Sequence, residues 1–174
     1  AVTSSVGLDD LFARIHRIVA SLMEARNLYV ALLDEATGSL SIPYFRDEIE
    51  AEPPAGPVPA GRGLTGYVLR TGRPLLATPE VFDGLVAAGE VEPIGAASID
   101  WIGVPLRAGE RTIGVLAVQS YAGNVRYGEE DQALLEFVSS QVALAVERRR
   151  SEEALRQSER RHRAVLEALP DLLF

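Results

Sequence analysis

The side chains able to do covalent or metal chemistry are few in this chain, and their spacing excludes most of that chemistry. There is no cysteine, so disulfides, thiolate metal sites, thiol nucleophiles and thioether cofactor attachment have no sulfur to use. All 17 basic residues are arginine, which removes the Schiff-base lysine and the P-loop phosphate lysine. The two histidines, His16 and His162, have neither a histidine partner nor a carboxylate set at ligand spacing. His162 continues into Arg163-Ala164-Val165 and so lacks the His-Glu-x-x-x-Pro pattern of kinase phospho-acceptors. The pairs Asp47 with Glu48 and Glu90 with Glu92 lie on expected loops with no positioned base or metal, as solvated charge would. Gly61-x-Gly63-x-x-Gly66 spells the dinucleotide fingerprint. That motif requires a preceding strand, and a proline-rich stretch stands there instead. The expected role is a glycine-led helix start in which Gly63 and Gly66 allow close packing. A lesser reading has the free amides and Arg62 holding an anionic part of a ligand. No catalytic residue and no metal site is expected, and the chain reads as a non-enzyme.

The elements that would position a binding site are legible from periodicity. Apolar residues from Leu8 through Leu11, Phe12, Ile15, Ile18, Val19 and Leu22 trace one helical face, with Ser4 or Ser5 available as a cap. Asn27–Leu33 and Leu40–Phe45, separated by Asp34-Glu35-Ala36-Thr37-Gly38, read as a hairpin. Residues 51–60, with four prolines, predict a loop. Leu64–Arg70 predicts a short helix stopped by Gly72. Leu75–Ala77 predicts a brief strand, and Thr78-Pro79-Glu80 opens a further helix that ends near Gly89. After an irregular stretch over 89–97, Ile99–Leu106 and Thr112–Ser120 form a second hairpin around Arg107–Arg111. A long helix follows from Gly128, burying Leu134, Leu135, Val138, Val142, Ala145 and Val146. Beyond residue 146 only a thin seam persists, at Leu144, Arg148, Ser151, Leu155, Ser158, His162, Val165 and Leu169, on alternating spacings of four and three. So narrow a seam finds its apolar partner most readily on a second copy, and a parallel homodimer is expected.

At 174 residues with 47% apolar content, one core plus an appendage is expected. The net charge of −8 divides as −9 over residues 1–146 and +1 over 147–174. Such a surface repels phosphates, so nucleic acid is not expected as a partner. No apolar run reaches the roughly 18 residues of a membrane span, and a cytoplasmic location without membrane insertion is expected.

Four separated words carry a family resemblance: Gly61–Leu75, Ile102-Gly103-Val104-Pro105-Leu106, Ile113-Gly114-Val115-Leu116 and Glu130-Asp131. In this order, over residues 8–147, the chain resembles a GAF domain. The resemblance implies an α+β fold with a central antiparallel sheet of five or six strands. The N- and C-terminal helices would lie on one face, and short helices and loops would cover a pocket on the other. Ligand residues are then expected among Tyr44, Tyr67, Thr78, Phe82, Leu85, Asp100, Ile102 and Gln119. Alternation places Asp100, Ile102 and Val104 on one face and Trp101, Gly103 and Pro105 on the other. The pocket is assigned to the Asp100 face, because a buried carboxylate with neither ligand nor water is costly. No particular cofactor is implied. Covalent bilin and methionine sulfoxide reduction need the missing cysteine, and histidine-ligated haem is not expected where residues 23–130 hold no histidine. The lysine of the Asn-Lys-Phe-Asp-Glu cyclic-nucleotide signature is missing, which leaves that ligand class a lesser alternative.

Ser158–Arg163 followed by Leu166–Phe174 resembles the start of a PAS domain. The implied organisation is a GAF sensor over 1–147, a helical linker over 148–169 and the truncated start of a PAS domain at 170–174. The expected function is sensory. A small ligand would shift the terminal helices of a bacterial signalling protein whose effector is a histidine kinase or a cyclic-di-nucleotide enzyme. The alternative is a ligand-free dimerisation module.

Overall fold

A computed structural model describes residues 3–169; the expected start of a PAS domain at 170–174 lies outside them. The elements are α1 (Thr3–Leu22), β1 (Asn27–Asp34), β2 (Ser39–Arg46), β3 (Val58–Pro59), α2 (Leu64–Thr71), β4 (Leu75–Ala77), α3 (Pro79–Ala87), β5 (Asp100–Ala108), β6 (Arg111–Ser120) and α4 (Glu129–Ala168). The chain divides into two compact units, Ala1–Ala143 and Leu144–Phe174.

In the first unit the six strands form one antiparallel sheet in the order β3-β2-β1-β6-β5-β4. Its centre is β1, β6 and β5, whose runs of Val, Ile and Leu suit strands buried on both faces. Cross-strand register fixes what each face carries. Tyr44, Val30, Leu116 and Val104 align across four strands, so they share a face. Phe12 of α1 packs on that face, its ring 6.1 Å from Tyr44. Tyr29, Ala117 and Gly103 align on the other face, where Val68 of α2 and Trp101 join the same core cluster. The terminal helices therefore cover the first face, with Phe12, Ile15 and Val19 of α1 and Leu135, Val138 and Val142 of α4 buried. The second face belongs to α2 and the loops. The α+β architecture expected from the sequence is the one observed, with six strands.

Three local features differ from expectation. Helix α1 begins at Thr3, ahead of the start expected near Ser4 and Ser5. The proline-rich stretch contains β3, which pairs Val58 and Pro59 with Leu40 and Ser39. Proline survives there because β3 is the sheet edge and needs no outward N–H partner. The second hairpin is tighter than expected, since Ala108 pairs with Arg111 and only Gly109 and Glu110 turn the chain. Gly109 takes a positive φ of 61° to do so.

Caps follow the sequence. Gly72 ends α2 in the left-handed conformation, donating its N–H to the Val68 carbonyl, and the Thr78 hydroxyl accepts from Val81 N–H at the start of α3. Of the two glycines expected to permit close packing, Gly66 is the tight one: a Cβ there would stand 1.8 Å from the Gly61 carbonyl oxygen. At Gly63 a Cβ would meet only ordinary van der Waals contact, at 3.5 Å from Ile94. The glycine-rich loop is thus a packing device that lays α2 against its own leading segment.

The second unit is the rest of α4. Its residues 153–169 are exposed, among them Leu155, Val165 and Leu169. Among the described residues no helix is long and apolar enough to cross a membrane.

Candidate functional site

The loop-covered face has a packed floor, a polar rim and a strapped cover. The floor is built on β5, where Trp101 and Gly103 are two residues apart and so point the same way. A Cβ on Gly103 would lie 2.0 Å from the Trp101 ring, so the indole occupies the space above the glycine. Its Nε1–H donates to the Tyr29 hydroxyl at 3.1 Å, and that hydroxyl bonds Thr65 Oγ1 of α2 at 2.8 Å. Since Trp can only donate and Tyr29 accepts from it, the Tyr29 proton is free to go to Thr65. Burial pushes the Tyr29 phenol above its ordinary pKa, against the lowering effect of Thr65 and Trp101. The phenol stays neutral.

At one end of the floor Asp47 gathers four donors. Its Oδ1 accepts from the N–H groups of Ile49 (2.8 Å) and Glu50 (2.9 Å); its Oδ2 accepts from Gln119 Nε2 (2.7 Å) and the Tyr121 hydroxyl (2.9 Å). Partial burial alone would raise the Asp47 carboxyl, but these bonds, led by the two backbone amides, outweigh it and hold the pKa below the ordinary value. Burial first, and then the bond to Asp47, raises the Tyr121 phenol. A depressed carboxylate stabilises the fold fully above its unfolded pKa of about 3.9, and that contribution fades as pH falls through the lower folded value. Urea unfolding of wild type and Asp47→Asn is therefore expected to differ most at pH 5–7 and to converge toward pH 2.

The cover is the segment 89–99. Arg62 donates to the Gly89 carbonyl and pairs with Glu92 at 3.2 Å, while Glu92 N–H returns to the Arg62 carbonyl at 2.8 Å. Arg70 holds the Glu90 carbonyl at 2.8 Å, and Glu50 Oε1 accepts from Ala96 N–H at 3.0 Å. Beside this strap stands α3, which has no buried residue although Val81, Phe82, Leu85 and Val86 are apolar.

The eight residues expected at a ligand site do not converge. Tyr67 on α2, Thr78 at the α3 cap, Phe82 and Leu85 on α3 and Gln119 at the rim belong to the loop-covered side, all of them half-buried. Tyr44, Asp100 and Ile102 belong to the opposite, helix-covered face. Register separates them, because Asp100 pairs with Ser120 whereas Gln119 pairs with Trp101. The Asp100 face is therefore the helix-covered one, not the loop-covered face on which a pocket was expected. Asp100 is buried, as expected, but it is stabilised from within: Oδ2 accepts from Arg126 Nε at 2.9 Å and Tyr127 N–H at 2.8 Å. Tyr44 likewise has internal partners, with its hydroxyl 2.9 Å from His16 Nδ1. His16 Nε2 lies 2.5 Å from the Ala25 carbonyl, which can only accept. Nε2 therefore carries a proton and donates to it. This histidine is a strut between α1 and β2. The floor residues Tyr29 and Trp101 were not among those expected; for Trp101 the local signal was a large aromatic two places from Gly103 on β5.

Among the described residues no group of three or more His, Asp or Glu side chains could hold a metal. Comparison with curated proteins gives no match. Solved structures do match. The GAF domain of an Acinetobacter phosphoenolpyruvate-protein phosphotransferase is 18% identical over 87% of this chain and 86% of its own, with a TM-score of 0.65. The second GAF domain of DevS from Mycobacterium smegmatis is 22% identical over 82% and 98%, with a TM-score of 0.61. A free methionine-R-sulfoxide reductase from Thermoplasma acidophilum is 13% identical over 80% and 92%, with a TM-score of 0.62. Identities this low speak for the fold alone. The sequence itself carries the assignment: the family model of the GAF domain matches residues 5–147, and the chain belongs to the GAF domain family.

Proposed function

We propose that this GAF domain is the non-catalytic sensory part of a bacterial signalling protein, taking a small ligand on its loop-covered face and passing the response along α4 in a homodimer. GAF domains are typical sensory and regulatory modules of signalling proteins. Solved neighbours come from DevS and from a methyl-accepting chemotaxis protein. The observation that carries the reading is the unsealed cover. Helix α3 keeps its apolar side chains half-exposed or exposed, while the strap beside it is held by the Arg62, Arg70 and Glu50 side chains, one exposed ion pair and the buried Val91. A helix that buries no residue moves at low free-energy cost. A ligand entering there would bury Phe82, Leu85 and Val86 and meet the polar rim at Gln119 and Tyr121. In the same reading the parent protein is cytoplasmic, and a PAS domain and an effector, a histidine kinase or a cyclic-di-nucleotide enzyme, follow the helix. Catalysis by this domain is not part of it, since the reductase chemistry found elsewhere in the family has no cysteine here.

One observation favours the second reading, a ligand-free dimerisation module. The floor beneath α2 is already filled by Trp101, locked to Tyr29 and Thr65. Native mass spectrometry of the purified protein, with a thermal-shift screen across metabolite classes, separates the two. Sensing predicts a retained mass or a melting shift confined to one class, abolished by Phe82→Asp with the unliganded melting point kept. A flat screen and a ligand-free mass establish the dimerisation module.

A further inference from the structure

Asp100 stands where two helix starts meet. Its strand pairs with β4 so that Ala77 opposes Trp101, which sets the next residue, the α3 cap Thr78, beside Asp100. On the other side the segment leading into α4 is bolted to the same place. Asp100 Oδ2 takes Arg126 Nε and Tyr127 N–H, and Ser120, the cross-strand partner of Asp100, donates its hydroxyl to the Val125 carbonyl at 3.0 Å. Arg126 is half-exposed; the bond to Asp100 does most to raise its guanidinium's pKa, and the charge of Glu80, two residues past Thr78 in the first turn of α3, adds the smallest share. From this juxtaposition we propose that Asp100 and Arg126 form a latch coupling the position of α3 to the start of α4.

The latch is poised and not rigid. Asp100 is wholly buried, yet among the described residues its Oδ1 has no hydrogen-bond partner. A buried carboxylate with one oxygen unsatisfied recovers only part of its desolvation cost, which brings an arrangement with the carboxylate released close in free energy. Arg126 closes the latch from the solvent side. Moving α3 shifts Glu80, which alters the hold of Arg126 on Asp100 and hence the anchoring of Val125–Tyr127. This coupling stands whether or not the loop-covered face takes a ligand, so its test needs none.

Because coupling between two sites is reciprocal, perturbing either arm must loosen the other. Hydrogen–deuterium exchange on the intact chain reads both. Arg126→Ala is expected to speed exchange of amides 125–131 about three- to tenfold, the loss of a charge-assisted bond from a half-exposed donor, and to speed exchange at 80–84 as well. Arg126→Lys restores most of the protection. Glu80→Gln, a surface change on α3, is expected to speed exchange at 125–128 by about 1.5- to 5-fold, with β6 amides at Val115–Val118 unchanged. Exchange that changes only on the element carrying the substitution overturns the latch.

Discussion

Trp101→Ala is expected to lower unfolding stability by about 3–5 kcal/mol, the range for deleting a large aromatic from a packed core. The residue is 2% exposed, and its ring joins three elements. It covers Gly103 on its own strand, packs with Val68 of α2, and donates to Tyr29 of β1. In a domain of this size that loss corresponds to a melting point lower by on the order of 10 °C. The denaturant slope should hold, because the surface exposed on unfolding changes little. Tyr29 keeps its bond to Thr65, so no buried phenol is orphaned and the cost stays with packing. Gly103→Ala attacks the same contact from below, forcing a Cβ into the ring at 2.0 Å. Since both changes act through one indole, the double variant is expected to cost less than the sum of the singles. Chemical denaturation of the three variants checks this; a Trp101→Ala cost under 1 kcal/mol would mean that the floor is loose and the ring replaceable.

That floor marks the boundary of what the sequence made legible. Helical and strand periods located α1, both hairpins, α2, β4 and α4, helped by stops such as Gly72, and the Thr78-Pro79-Glu80 cap located α3, which buries no residue. Two-residue β3 left no period to read, and its prolines pointed to a loop. The placement of Asp100 on the loop-covered side failed for a different reason. Alternation correctly put Asp100 and Trp101 on opposite faces, but the decision between them used the cost of burying a carboxylate, on the premise that no protein group would meet it. Arg126 and the Tyr127 amide are 26 and 27 residues away in sequence, and nothing in local pattern announces a contact so distant. The aromatic and glycine on the other face, Trp101 and Gly103, obey a local rule of spacing along one strand. Register completed the picture by pairing Gln119 with Trp101, which splits a residue set that polarity alone had grouped together.

Leu155→Asp is expected to raise the dimer dissociation constant at least about 100-fold, roughly 3 kcal/mol per dimer. In the second unit Leu144, Leu155, Val165 and Leu169 are 44–68% exposed, and they recur on the four-and-three spacing of a two-stranded coiled coil. In a parallel pair every seam residue meets its own twin across the axis. Leucine there buries apolar surface against leucine; aspartate sets two carboxylates face to face in a site that gives them no counter-charge. Leu155→Asn separates the two causes. Asparagine removes the same apolar contact but tolerates its twin at such a position by hydrogen bonding, so it should weaken the dimer several-fold less than aspartate. The aspartate variant should in turn regain dimer below about pH 4, where protonation removes the repulsion. Sedimentation velocity across a concentration series, with circular dichroism to show that α4 stays helical, measures each step. Dimers indifferent to both substitutions would move the interface to α1, where Ile18 and Leu22 are 55% and 63% exposed, and would leave the linker helix without a partner of its own kind.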